Sequence, residues 1–160
     1  MNEKSPDEFY LSEAFKEAFH GIRNNHGGPF GAVIVRDNTI IGRGCNMVIS
    51  QHDPTAHAEI VAIRQACKNI NSYDLSGTVI YSTCEPCPMC FSAVYWAKIN
   101  EVIFCLSRHD AELMGFKDNH IYEEIYKDFS ERDIRFTKVD HSYIKTLMEE
   151  WNQKPDKFHY

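Results

Sequence analysis

The sequence lacks any long apolar run, any excess of basic residues and any second cluster of cysteines. No apolar stretch approaches the roughly 20 residues that a membrane-spanning helix needs, so no membrane association is predicted. The charged N-terminus lacks the apolar core of a secretory signal, and we therefore expect a cytoplasmic protein. Lys and Arg number 17 against 23 Asp and Glu, for a formal net charge of −6. This balance argues against nucleic acid as the main partner.

The cysteines that are present bear on metal binding. Of the six, Cys84, Cys87 and Cys90 lie close together, and the other three are isolated in the sequence. A structural zinc site uses four protein ligands, usually from two close pairs. Cys84 could serve as a fourth ligand, but the chain offers no other close pair. A structural zinc knuckle therefore stays an alternative to a catalytic site.

Two short motifs contain the residues that could bind a catalytic metal. They are H-A-E at residues 57–59 and P-C-P-M-C at residues 86–90. Zn²⁺ prefers thiolate sulfur and imidazole nitrogen, and a catalytic site leaves one of four positions open for water. His57, Cys87 and Cys90 are therefore the predicted ligands. Because bound zinc lowers the pKa of water to roughly 7, such a site supports hydrolysis at neutral pH.

Helix geometry explains how these residues could share one site. Cys87 and Cys90 are three apart, so they face the same side of a first helical turn. His57 and Glu59 are only two apart, and they can meet at one site only off the tip of a helix. The D-P-T sequence at 53–55 indicates a helix start there. Glu59 is then a proton carrier beside the metal and not a ligand. Taken alone, His57 also fits a core histidine, and the two cysteines also fit buried thiols.

The pattern of the whole chain predicts a three-layer α/β/α sandwich with a mixed central sheet of about five strands. Helical spacing and short apolar or alternating runs indicate the elements. The first two strands, joined by a turn at Asp37-Asn38, should be antiparallel, and the later strand–helix–strand unit should be parallel. The predicted helices cover residues 7–23, a stretch from about 55, 89–97 after Pro86, 110–114, 121–126 and 141–151, and the strands cover 30–36, 39–44, 78–82, 102–105 and 134–139.

Together, the two metal motifs resemble those of the cytidine-deaminase superfamily of zinc-dependent enzymes. Within it, the chain is most similar to the small guanine deaminases, and this similarity covers nearly all residues from about Phe15. The resemblance implies a single deaminase domain over residues 1–160 with one zinc ion per subunit. The motifs that support the narrower resemblance are G-G-P-F-G-A-V-I-V at 27–35, D-P-T-A-H-A-E at 53–59, Y-W-A at 95–97, G-F-K-D at 115–118 and I-Y at 121–122, with the chain end at Tyr160.

The resemblance also implies which residues contact the substrate. Phe30 would stack on a purine, and Asn46 and the backbone at Ala58 would contact its ring edge. Asp118 would accept hydrogen bonds from the guanine amino and ring N–H groups. An acidic acceptor suits guanine because this base presents adjacent donors at N1 and N2. Tyr160 would cap the site.

Each of these roles has an alternative. Phe30 begins a strand and fits a core position, and Asn46 follows a strand and fits a turn. Asp110 and Glu112 compete with Asp118 as the acidic group of that region. The role of Tyr160 depends on the resemblance, because a C-terminal residue is ordinarily frayed.

For the assembly, the resemblance implies a homodimer. In related guanine deaminases the C-terminal segment, here about residues 141–160, is exchanged between two subunits. Tyr160 would then serve the site of the partner subunit. The polar stretch 152–157 suits an extended arm of this kind.

The expected reaction is hydrolytic deamination of guanine, a small purine base, to xanthine and ammonia. Water adds at C2 with zinc as the cofactor, and Glu59 moves protons to N3 and to the departing amine. The alternatives are a deaminase for guanosine, cytosine or tRNA adenosine, and a zinc-stabilised binding module without turnover. A tRNA enzyme needs a basic surface, which the composition does not supply.

Overall fold

The computed structural model describes residues 5–158 and confirms an α/β fold built on a mixed sheet. The strands are β1 (Gly31–Arg36), β2 (Thr39–Cys45), β3 (Val79–Cys84) and β4 (Glu101–Leu106). The helices are α1 (Pro6–Arg23), α2 (Val48–Gln51), α3 (Ala58–Ile70), α4 (Pro88–Trp96), α5 (Arg108–Leu113), α6 (Asn119–Tyr126) and α7 (Tyr143–Gln153). Within the described residues, no helix has the length and apolar character needed to cross a bilayer.

The sheet has the order β2-β1-β3-β4, with β1 antiparallel to both neighbours and β3 parallel to β4. The prediction of about five strands is wrong, because four strands pair within residues 5–158. Residues 134–139, predicted as a strand, lie outside any strand. Their apolar side chains are exposed and their backbone joins no ladder, so the alternating pattern has no partner strand to stabilise it.

Alternating side chains of the inner strands build cores on both faces of the sheet. Val33 and Val35 of β1 pack with Tyr10 of α1 and Tyr81 of β3 on one face. On the other face, β1 and β3 pack against α3 and α4, and the buried residues are Ala32, Ile34, Ala58, Ala62, Ala66, Leu75, Ile80, Val94 and Ala97. This alternation is the two-residue period of a strand buried on both sides. The three layers expected from the sequence follow from it.

Small residues let α3 approach β2 very closely. A Cβ built on Gly44 would lie 2.3 Å from the Ala58 carbonyl oxygen, and one on Gly42 would lie 2.4 Å from the Ala62 carbonyl oxygen. Any larger residue at these positions would push the helix away from the strand. The absence of side chains at Gly42 and Gly44 therefore sets how closely the beginning of α3 packs against β2.

The outer strand β2 is also covered by side chains of α3. The Arg43 N–H donates to Gln65 Oε1 at 2.6 Å, and the Ile41 carbonyl accepts from Asn69 Nδ2 at 2.9 Å. Backbone groups satisfied in this way are not available to a further strand. We call this arrangement the closed edge of the sheet.

The chain separates into two compact units, with the boundary between Ile121 and Tyr122. The first unit contains the sheet and the buried core. In the second unit, no residue up to Phe158 is buried. Its exposed large apolar side chains are Ile125, Tyr126, Phe129, Ile134, Phe136, Val139, Tyr143, Ile144, Leu147, Met148, Trp151 and Phe158.

Candidate active site

Two helix starts bring the predicted metal ligands together. His57 is the N-cap residue of α3 and Cys87 is the N-cap residue of α4, both with extended backbone. Neither side chain makes the usual capping hydrogen bond to its own helix. An N-cap position ordinarily favours Ser, Thr, Asp or Asn. Here the two side chains are free to meet each other, so these caps are suited to ligation.

The helix boundaries differ slightly from the sequence prediction. Pro88, and not Pro86, is the first residue of α4. Asp53 closes a local turn through Thr55, whose N–H donates to Asp53 Oδ1 at 2.8 Å, and α3 begins three residues after that turn. The prediction that His57 and Glu59 share the tip of a helix nevertheless matches the structure, with His57 at the cap and Glu59 in the first turn.

The three predicted ligands form one cluster. His57 Nδ1 lies 3.6 Å from Cys87 Sγ and 3.6 Å from Cys90 Sγ. Bond lengths of about 2.0–2.3 Å to a tetrahedral zinc ion place neighbouring ligand atoms about 3.5–3.8 Å apart. The observed distances therefore fit three corners of such an ion. Cys84 is not part of the cluster, so these residues supply three ligands and not four.

The charges of the two thiols also favour a cation. The hydrogen bond with Cys90 and the contact with His57 lower the pKa of Cys87 to about 4. The pKa of Cys90 is raised, by its hydrogen bond to Cys87 and by burial. The protein groups alone therefore favour one negative charge on the pair. A divalent cation is the partner that makes both thiolates favourable, which is the donor chemistry that zinc requires.

Glu59 lies beside this cluster with its carboxylate buried. Its Oε2 is 3.5 Å from Cys90 Sγ, and its Oε1 accepts from the Ser82 hydroxyl at 3.4 Å. Burial raises the pKa of Glu59. A buried carboxyl with a raised pKa, next to a metal site, is suited to accept a proton and return it.

A pocket of about 260 Å³ opens over these groups. The lining residues come from α2, the start of α3, the end of β3 and the five loops that precede β1, α2, α3, α4 and α6. They are Gly28, Phe30, Asn46, Val48, Ile49, Pro54, His57, Glu59, Cys84, Glu85, Cys87, Phe116 and Asp118. The structure thus brings six of the nine predicted site residues to one cavity. Cys90 lies behind its ligand partners, and Ala58 is fully buried in the first turn of α3.

Asn46 is held in a fixed orientation. Its Oδ1 accepts from the backbone N–H groups of Gly28 at 3.3 Å and Val48 at 3.2 Å. The turn role considered from the sequence is therefore real. The Nδ2 group of Asn46, which lines the pocket, is not used by these two hydrogen bonds.

Phe30 likewise combines two roles. Its side chain packs against the buried core and lines the pocket. Its ring meets Phe116 edge to face, with centroids 4.7 Å apart. Phe116 has no role in the sequence prediction, although it lies in the G-F-K-D motif that supported the resemblance. Its position two residues before Asp118, a predicted substrate contact, is the sequence signal that could have identified Phe116 as a pocket residue.

Asp118 is the acidic residue of its region that reaches the pocket. Asp110 instead forms a capping box with Ser107 at the start of α5, and Glu112 accepts from Asn119 at 2.9 Å. Neither of these two acids lines the cavity. Burial, and to a smaller extent the Cys87 thiolate, raise the pKa of Asp118. Tyr160 lies outside the described residues.

A three-ligand His/Cys/Cys cluster with a non-ligand glutamate beside it defines the class of zinc-dependent deaminases. Residues 4–106 match the zinc-binding region of the cytidine and deoxycytidylate deaminases. The chain belongs to this family.

Known proteins with different substrates are similar to this chain to different extents. A guanine deaminase from Bacillus subtilis is 43% identical over 153 residues, which are 96% of this chain and 98% of that protein. The X-ray structure of guanine deaminase from Bacillus subtilis superposes with a TM-score of 0.92 at 42% identity, over 100% of this chain and 99% of that one. A tRNA-specific adenosine deaminase from Buchnera aphidicola is 36% identical over 82% of this chain and 83% of its own length.

Proposed function

We propose that this protein is a zinc-dependent guanine deaminase that converts guanine and water to xanthine and ammonia. The observation that carries the proposal is the end-to-end similarity to a guanine deaminase, at 96% and 98% coverage. The family match ends at residue 106, before Asp118. The longer similarity, unlike the family match, includes the residues around Asp118 and extends over nearly the whole of both proteins.

The pocket offers polar groups that complement guanine. The Asp118 carboxylate accepts from the adjacent N1–H and amino donors of the base, and the Asn46 Nδ2 group donates to an acceptor on its ring edge. Phe30 stacks on the purine, and the backbone at Ala58 contacts its edge. Adenine and cytosine present a ring acceptor where guanine presents N1–H, so an ionised Asp118 disfavours them.

Zinc, held by His57, Cys87 and Cys90 with one ion per subunit, supplies when bound the activation of water on which this hydrolysis depends. Glu59 removes a proton from the attacking water and transfers it to N3 of the base. It then carries the second proton to the amine as the C2–N2 bond breaks and ammonia leaves. Asp118 and Asn46 hold C2 in place during both transfers.

We also propose a homodimer in which the C-terminal segment, about residues 141–160, is exchanged between subunits. The exposed apolar side chains of residues 122–158 support this, because a monomer rarely exposes so many. Ile144, Leu147, Met148 and Trp151 follow one face of α7, as a helix that packs against another surface would. Tyr160 would cap the partner's site. None of the six cysteines forms a disulfide, which supports the cytoplasm as the location.

The function is tested by ammonia release from guanine, guanosine, adenine, cytosine and a tRNA anticodon stem–loop, with zinc measured in the same preparation. We expect release from guanine above all others. Glu59→Gln should keep its zinc and lose at least about 100-fold in kcat. Glu101→Gln, on the exposed side of β4, is the matched control and should behave as wild type. Preference for any other substrate, or zinc binding without release from any, would overturn the proposal.

The exchange is tested by complementation. One variant carries Glu59→Gln, and the other lacks residues 158–160. If segments are exchanged, unfolding and refolding the two together should create dimers with one complete site and recover activity. No recovery, or a monomer in light scattering, would contradict the exchanged dimer.

A further inference from the structure

The zinc ligands and the base-binding acid reach the pocket from separate segments. The segment from Cys84, the last residue of β3, to Cys87, the N-cap residue of α4, is what we call the zinc loop. Gly115 to Asp118 form the loop between α5 and α6, which we call the base loop. Deamination requires C2 of the base to meet the activated water within a fraction of an ångström. Some contact must therefore fix the position of the base loop relative to the zinc loop.

Glu85 makes that contact at the start of α5. Its backbone N–H donates to the Leu106 carbonyl at 2.8 Å, and its Oε2 accepts from the Arg108 N–H at 3.0 Å. Arg108 is the first residue of α5. Cys84 adds a weaker link, from its Sγ to the Ser107 carbonyl at 3.7 Å. The zinc loop thus holds both the end of β4 and the first turn of α5.

The other end of α5 fixes the base loop. Gly115 adopts a positive φ of +96°, and its N–H donates to the Glu112 carbonyl at 2.9 Å. The Phe116 N–H donates to the carbonyl of the buried Ala111 at 3.0 Å. Beyond the loop, the Asn119 side chain donates to Glu112 Oε2 at 2.9 Å. These hydrogen bonds therefore fix both ends of the base loop to α5.

We propose that Glu85 is a positioning residue that couples the zinc loop to the base loop through α5 and thereby places Asp118. This inference rests on the proposed function, because it concerns how that substrate is held. Glu85 acts as a hydrogen-bond acceptor for the helix and takes no part in proton transfer. Its loss should weaken the alignment of the base and leave the metal ligands in place.

The kinetic test compares Glu85→Ala with Glu85→Gln. The alanine variant should raise KM for guanine about tenfold, since it removes the oxygen that accepts from the Arg108 N–H, while zinc content and kcat stay near wild type. The glutamine variant keeps an acceptor oxygen and should restore KM. Glu101→Ala, an exposed acid on β4, is the matched control. A glutamine variant as impaired as alanine would overturn the proposal, because the charge itself would then be acting.

A double-mutant cycle with Asp118→Asn provides the second readout. If Glu85 acts through Asp118, the double variant should have nearly the KM of Asp118→Asn alone. Fully multiplicative effects on KM would contradict the coupling.

Hydrogen exchange tests the same contact without any substrate. In Glu85→Ala, the amides of residues 108–119 should exchange faster, while those of α3 keep their protection. Unchanged exchange at 108–119 would overturn the inference. If wild type deaminates another base instead of guanine, the proposed function fails, but this exchange result still decides whether Glu85 positions the base loop.

Discussion

The pocket has two halves that are built in different ways. The metal-binding half places His57, Cys87, Cys90 and Glu59 on the first turns of α3 and α4, and both helices pack on one face of the sheet. The other half, which we propose binds the base and call the base-binding half, consists of loops that supply Asn46, Phe116 and Asp118, with Phe30 just before β1.

The two halves also differ in how far they fall within the family match. The whole metal-binding half falls within residues 4–106, the region shared with the cytidine and deoxycytidylate deaminases. Phe116 and Asp118 come after it. Phe30 and Asn46 also fall within residues 4–106. Helix starts thus hold the ligand cluster and Glu59, while loops supply the residues proposed to contact the base. Substitutions in the two halves should therefore fail in different ways.

The largest effect is expected in the metal-binding half. Cys90→Ala removes a fully buried ligand of the cluster, so zinc content should fall far below one ion per chain and ammonia release should fall to background. Cys105→Ala, an exposed thiol on β4, should change neither quantity. Full activity of Cys90→Ala with normal zinc would remove the distinction between the halves.

A graded effect is expected in the base-binding half. Asp118→Asn loses a charged acceptor, so KM for guanine should rise roughly 10–100-fold with unchanged zinc content. Steady-state kinetics beside metal analysis measures this. Asp37→Asn, in the hairpin at the opposite end of β1, is the control. Loss of zinc from Asp118→Asn would mean that the two halves are not independent.

The same acid predicts a dependence on pH. Burial raises the pKa of Asp118 above its ordinary 3.8, and the ionised form is the one that accepts from guanine. KM should therefore rise as pH falls toward that raised pKa and should level off at higher pH. In Asp118→Asn this rise should disappear. A rise that persists in the variant would assign the titration to another group.

The smallest effect is expected from the aromatic wall. Phe30→Leu removes stacking and the edge contact with Phe116, so KM should rise about 2–10-fold, with kcat little changed. Phe91→Leu makes the same change on the exposed side of α4 and should leave KM unaltered. Loss of zinc from Phe30→Leu would contradict this prediction, because Phe30 would then support the metal-binding half.

The metal-binding half was predictable from the sequence because its logic is local. A histidine and a glutamate two apart can share a site only at a helix tip, and the structure places them there. The exact helix starts were not predictable. Pro86 and the turn at 53–55 are good start signals, but His57 and Cys87 occupy the N-cap positions, where propensity alone favours other residues.

The base-binding half could be predicted only through the resemblance. Nothing local distinguishes Asp118 from Asp110 or Glu112, since the distinction depends on which acid the path of α5 directs into the cavity. The predicted strand over 134–139 failed for a related reason. Alternation of apolar and polar residues indicates which side chains a strand would direct to each face of a sheet. A strand also needs a partner strand, and the two-residue period does not say which distant segment that would be.

The closed edge at β2 has a consequence for how far this protein can associate. Side chains of α3 already bond the Arg43 N–H and the Ile41 carbonyl of β2, so a further strand is disfavoured there and favoured beside β4, which within residues 5–158 pairs with β3 alone. If two copies paired through β4, both of their β4 edges would be used in the contact between them. Growth into a fibre by strand pairing needs an open strand edge at both ends of each unit, and the contacts of α3 with β2 oppose such growth.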